Sequence, residues 1–121
     1  MSLLGSFGST VEYIDLETPV APKVEYSDEE WIKERIRVYS VIYEVSEEVM
    51  NHIVKGESGY DINAINSSPI EFSIGLVQIN LSVHFINGIT KEMALDPEFS
   101  LDFLARNLKE GRCHMWTTCP Y

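Results

Sequence analysis

Apolar residues recur along this chain with a helical period from Ser27 onward, but not before it. From Met1 to Tyr26, short apolar groups alternate with Gly, Ser and Thr and are interrupted by Pro19 and Pro22, so no helical or strand period persists. That contrast predicts an arm or linker over 1–26 and a single folded domain over 27–121. At Ser27 a potential cap is followed three positions later by Glu30, the reciprocal arrangement that satisfies the orphan amides of a helix start. Trp31, Ile32, Ile36 and Tyr39 then supply an apolar face. A second helix is predicted after Ser46, with Glu47 and Glu48 in its first turn where the helix dipole favours negative charge. Met50, Ile53, Val54 and Glu57 project from one face of it, and Gly59 ends it.

The stretch from Tyr60 to Phe72, rich in Asn and Ser and containing Pro69, reads as a loop or an irregular β excursion. Ser73 to Asn80 is apolar with embedded polar residues, and its period leaves a short buried helix and a strand equally open. Asn87-Gly88 marks a tight turn. Thr90 caps a short helix through Leu95, and Asp96-Pro97 opens another, since Asp suits the cap and Pro the first helical position. Leu101, Leu104, Ala105 and Leu108 form the core stripe of that last helix, Phe99 and Phe103 widen it, and Gly111 closes it. The predicted fold class is mainly α.

Composition narrows what such a domain does. With 121 residues and 45% hydrophobic content the chain can bury one core without a metal. Its net charge of -10 opposes phosphate backbones and anionic lipid surfaces, so nucleic acid is excluded as a partner. No run approaches the roughly 18 apolar residues of a membrane span, and Met1 to Thr10 lacks the basic start of a secretory signal. Cys113 and Cys119 leave a local disulfide or two free thiols open. Although His114 lies beside them, no second ligand pair completes a zinc site, and no metal or cofactor is expected. A monomer is expected. His84 reads as a loop histidine without a chemical role, and Lys109 and Arg112 as surface cations.

Glu57 is the residue that stands out. A carboxylate in line with Met50, Ile53 and Val54 should lose hydration, and a general acid needs surroundings that help it keep its proton. The plain alternative is a solvated glutamate at a frayed helix end.

The sequence around it weighs against that alternative. Glu57-Ser58-Gly59-Tyr60, followed by Gly75-Leu76-Val77-Gln78-Ile79-Asn80, resembles the paired signatures of lytic transglycosylases and goose-type lysozymes. Asn63-Ala64-Ile65-Asn66 resembles the connection between those motifs. Asp96-Pro97-Glu98-Phe99, Gly111-Arg112 and Trp116 are similar to the corresponding stretches of small bacterial and phage members. The resemblance covers Trp31 to Trp116. It implies a lysozyme-like helical domain with a short irregular or β excursion between the catalytic helix and the Gly-Leu-x-Gln-Ile segment. It also implies cleavage of the β-1,4 bond between N-acetylmuramic acid and N-acetylglucosamine in peptidoglycan, and hence action at the cell wall. Glu57 matches the family's catalytic acid, and Ser58 the hydroxyl beside it. Ser73, Val77, Gln78 and Asn80 match positions lining the sugar cleft, where amides and hydroxyls suit acetamido groups.

Three features depart from the family. The late Ala-Tyr-Asn-x-Gly signature is absent, which leaves Trp116 or Tyr121 to orient the sugar; Gly56 stands where short relatives carry Cys; and the balance of charge is acidic. A second carboxylate is also missing from the motif region, because Asp61 and Glu71 lie in the connecting loop and Asp96 is committed to a cap. That favours anhydro-forming transglycosylation over hydrolysis. The rival function is a non-catalytic glycan-binding or virion-assembly module on the same fold.

Overall fold

The helical stripes become five helices packed around a small sheet, and the computed structural model describes residues 28–121. Expectations for the 1–26 arm and the Ser27 cap lie outside those residues. Helix α1 spans Asp28–Tyr43 and α2 Glu47–Ser58; strands β1 (Ile65–Ser68), β2 (Glu71–Ile74) and β3 (Ile79–Asn80) follow. Then come α3 (Leu81–His84), a 3-10 turn at Phe85–Asn87, α4 (Lys91–Leu95), α5 (Pro97–Lys109) and a last 3-10 turn at Cys113–Met115. Among the described residues the protein is mainly helical, and no helix is long and apolar enough to cross a membrane.

The caps form where the residue types place them. Ser46 accepts from the Val49 amide, Thr90 from Met93 and Asp96 from Glu98, each satisfying an amide that its helix cannot. Gly59, in the left-handed region at φ 61°, donates its N–H to the Lys55 carbonyl and stops α2. Helix α5 ends at Lys109, and Gly111 closes it as expected: at φ 80° its amide and that of Arg112 bond back to the Leu108 and Asn107 carbonyls, and the chain turns away into the C-terminal tail.

Ile32 and Ile36 of α1, Met50, Ile53 and Val54 of α2, and Leu101, Leu104 and Ala105 of α5 are fully buried in one core. Trp31 lies on the flank of its stripe and stays 37% exposed, one position and therefore about 100° round the helix from Ile32. A polar seam closes the α1–α5 interface. Arg35 grips the Glu98 carboxylate with both arms of its guanidinium, at 2.9 and 3.0 Å, and the Tyr39 hydroxyl donates to the same carboxylate at 2.7 Å. One turn further on, Asp102 accepts from Tyr43 at 2.5 Å and from Arg106 at 2.6 Å. Burial pushes the Glu98 carboxyl up, but the bonds from Arg35 and Tyr39 outweigh it and hold the group below the ordinary carboxylate value. Tyr39 is pushed up to about 12, by burial first and then by its bond to Glu98, so it remains a donor.

The segment with undecided period resolves as two strands around a turn. The sheet is antiparallel in the order β1-β2-β3, with Ile65 opposite Ile74 and Ile74 opposite Ile79. Between β2 and β3 the turn 75–78 buries Leu76 and Val77 completely, which explains why neither a helical nor an alternating pattern emerges. Only glycine fits at its first position. Gly75 has φ 87°, and a Cβ there would lie 2.0 Å from the Ala94 carbonyl oxygen of α4.

Candidate active site

Glu57 occupies the penultimate position of α2, where the apolar face of that helix meets the C-terminal tail. It is half-buried rather than enclosed. Its Oε2 accepts a hydrogen bond from the Thr118 hydroxyl at 2.7 Å, and no cation pairs with it among the described residues. Ser58, the next residue, turns its hydroxyl back to the Val54 carbonyl at 3.2 Å and is half-buried. Gly56 is the reason the tail can come so close: a Cβ at that position would stand 2.7 Å from Thr118 Cγ2.

Three ties hold the tail. After Gly111 reverses the chain, the Arg112 side chain donates to Asn107 Oδ1 at 2.9 Å and its amide to the Asn107 carbonyl at 2.8 Å. Cys113 and Cys119 are joined as a disulfide, which settles the alternative left open by their spacing. Trp116 is buried, stands edge-on to Phe103 with centroids 6.0 Å apart, and donates its indole N–H to the Val77 carbonyl at 2.7 Å. Trp116 therefore acts as a structural anchor between tail and turn, while Tyr121 is 90% exposed.

Burial corrects two expected cleft residues. Val77 is fully buried and meets the tail only through its backbone carbonyl, so its side chain lines no cleft. Ser73 is likewise buried, because β2 turns it inward, and its hydroxyl donates to Glu71 Oε2 at 2.7 Å. Gln78 is half-buried at φ 55° and uses its side-chain N–H groups to brace the turn, bonding the Ala64 and Gly75 carbonyls at 3.2 and 3.0 Å. Its amide oxygen has no hydrogen-bond partner among the described residues. Asn80 is half-buried too, and its Oδ1 caps α3 through the Ser82 amide.

Asn80 also opens onto a groove of about 730 Å³ that it shares with His84, Phe103, Arg106, Asn107 and Met115. Met115 in its wall lies on the same disulfide-closed tail as Thr118. Glu57 itself lines neither this groove nor three smaller hollows among the described residues. His84, expected to be a bystander, packs edge-on against Phe103 at 5.4 Å in the groove wall. Burial lowers its pKa, which favours the neutral ring at neutral pH. The sequence reading missed Thr118 and this groove. The first carries no motif, and the second is assembled from four separate stretches of chain.

The other acids near the motif are engaged locally. Asp61 Oδ1 accepts from the Asn63 amide, Glu71 from Ser73, and Asp96 from the Glu98 amide. Among the described residues no group of three or more His, Cys, Asp and Glu side chains is arranged to hold a metal. No protein-family model matches this chain, and neither does any curated protein or solved structure. What the arrangement can do follows from the side chains alone. It presents one half-exposed carboxyl that accepts a neutral hydroxyl on one oxygen and has no partner on the other among the described residues, while the amide-lined groove at Asn80 and Asn107 lies apart from it.

Proposed function

We propose that this chain is a lysozyme-like enzyme that cuts the glycan strands of peptidoglycan, with Glu57 as general acid and then general base. The observation that carries the reading is the partnership of Glu57. Glu98 and Asp102 are held by arginines, whereas among the described residues Glu57 has only a hydroxyl, which engages one of its two oxygens. The motif residues around it, the mainly helical fold and the small antiparallel sheet after the acid's helix support the same reading.

In the reaction, Glu57 passes its proton to O4 of the departing N-acetylglucosamine as the C1–O4 bond of N-acetylmuramic acid breaks, the electron pair leaving with O4. The carboxylate then removes the proton of the muramic 6-hydroxyl, and O6 closes on C1 as a 1,6-anhydro ring. An intramolecular nucleophile gains from proximity and dispenses with a second carboxylate. The local engagement of Asp61, Glu71 and Asp96 favours this route over a two-carboxylate hydrolysis. The site of action would be the cell wall.

Clearing of a peptidoglycan suspension, followed by mass spectrometry of the released fragments, tests the reading. Wild type should release anhydro ends, one water lighter than reducing ends, and Glu57→Gln should lose on the order of 10²- to 10⁴-fold in rate. Reducing ends alone would replace transglycosylation with hydrolysis. Binding without release of fragments would instead support the glycan-binding module, and equal activity of Glu57→Gln would remove the acid from its role.

A further inference from the structure

We infer that Thr118 is a positioning residue for the proposed reaction: its hydroxyl fixes Glu57 so that Oε1 is the oxygen that carries and delivers the proton. The inference rests on the glycan-cleaving reading above and adds the group that makes its acid directional.

The geometry assigns the two oxygens different duties. A threonine hydroxyl has one proton and two lone pairs, and toward an ionised carboxylate it can act only as a donor. Thr118 donates to Oε2 at 2.7 Å, within the range of a charge-assisted O–H···O bond. With Oε2 thus engaged, the acid proton belongs on Oε1, which has no partner among the described residues. When the C1–O4 bond breaks, that proton moves to O4, and Oε2 keeps its bond to Thr118 throughout. The same contact then steadies the carboxylate while it takes the proton of the 6-hydroxyl.

The hydroxyl is itself held. A glutamate near a helix end has three freely rotating bonds, so one exposed partner would do little to orient it. Thr118, however, is packed by its methyl against Gly56, the residue before the acid. It is also flanked by Cys119, whose disulfide to Cys113 closes the tail, while the Trp116 carbonyl accepts from the Cys119 amide at 3.0 Å. The indole bond to Val77 roots that loop in the core. The hydroxyl reaches Glu57 from a closed loop rather than from a loose terminus.

The experiment compares wild type, Glu57→Gln, Thr118→Val and Thr118→Ser on soluble uncrosslinked glycan strands. Valine keeps the shape against Gly56 and removes the hydroxyl; serine keeps the hydroxyl and removes the methyl. Thr118→Val should lower kcat by roughly 10- to 100-fold with KM unchanged, and Thr118→Ser should recover wild-type kcat to within about twofold. A Thr118→Val enzyme as fast as wild type, or a Thr118→Ser enzyme as slow as Thr118→Val, overturns the inference and leaves the glycan-cleaving reading intact so long as Glu57→Gln is inactive. A wild type that releases no glycan fragments ends both. Independently of any change at 118, NMR of wild type should detect the Thr118 hydroxyl proton protected from exchange and lose that signal in Glu57→Ala. Rapid exchange of that proton in wild type would also overturn it.

Discussion

Two junctions in this molecule use carboxylates in opposite ways. Along the α1–α5 seam, Glu98 and Asp102 each receive a guanidinium and a phenol, and their combined effect lowers both pKa values against the opposing push of burial. Where the tail meets α2, Glu57 receives one neutral hydroxyl. A carboxylate gripped by arginine is committed to its charge and so to holding helices together. One that receives only a hydroxyl is held by a neutral partner, with no cation paired to it among the described residues. The seam is built from side chains across two helices, the other junction from a short loop closed by sulfur and an indole.

If the tail junction depends on that indole, Trp116→Ala should be the most damaging single change outside Glu57. It removes a buried ring and leaves the Val77 carbonyl without its donor, a loss of about 3–5 kcal/mol that denaturant unfolding would register. A loss below about 1 kcal/mol would mean that the tail is dispensable to the core. The disulfide comes next. With a sequence separation of six its loop is short, and replacing both cysteines by serine should cost about 2 kcal/mol. The comparison sharpens if cleavage falls further than stability does, since Thr118 would then lose its place beside Glu57. Unchanged melting and activity would break it.

The seam should yield the smallest effect and the clearest pH signature. The Arg35 and Glu98 side chains are 32% and 40% exposed, so solvent screening limits the pair to about 1 kcal/mol or less. Because the folded carboxyl lies below its ordinary value of 4.5, its contribution is complete above that value and is lost as pH falls through the folded value. Melting curves of wild type and Glu98→Gln should therefore differ at neutral pH and converge in acid. A gap that persists unchanged to low pH would assign the seam's effect to packing instead of charge.

The helices were legible because their signals are local. Ser46, Thr90 and Asp96 each bond the amide that their positions predict, and Gly59 adopts the left-handed conformation that stops α2. The acid of the candidate site was legible through its place on the α2 stripe and the Glu-Ser motif. What surrounds it was not. Leu76 and Val77 are apolar residues in a turn, buried because Gly75 lets α4 approach and Trp116 covers the other side, and no period along the chain encodes either contact. Thr118 meets Glu57 across 61 positions, in a contact created by the fold of the tail. Val77 and Ser73 were misplaced for a related reason: a motif identifies which residues border a site without saying which of them face it.

The space between Gly56 and Thr118 has a consequence for how such a sequence can change over time. A side chain of any size at 56 would have to displace Thr118, and with it the hydroxyl on Glu57. A smaller residue at 118 would first have to clear that space. Positions 56 and 118 are therefore epistatic, and the order of substitution matters. Routes that enlarge residue 56 first pass through a broken Thr118–Glu57 contact, while routes that trim residue 118 to serine first retain a hydroxyl for Glu57 along the way.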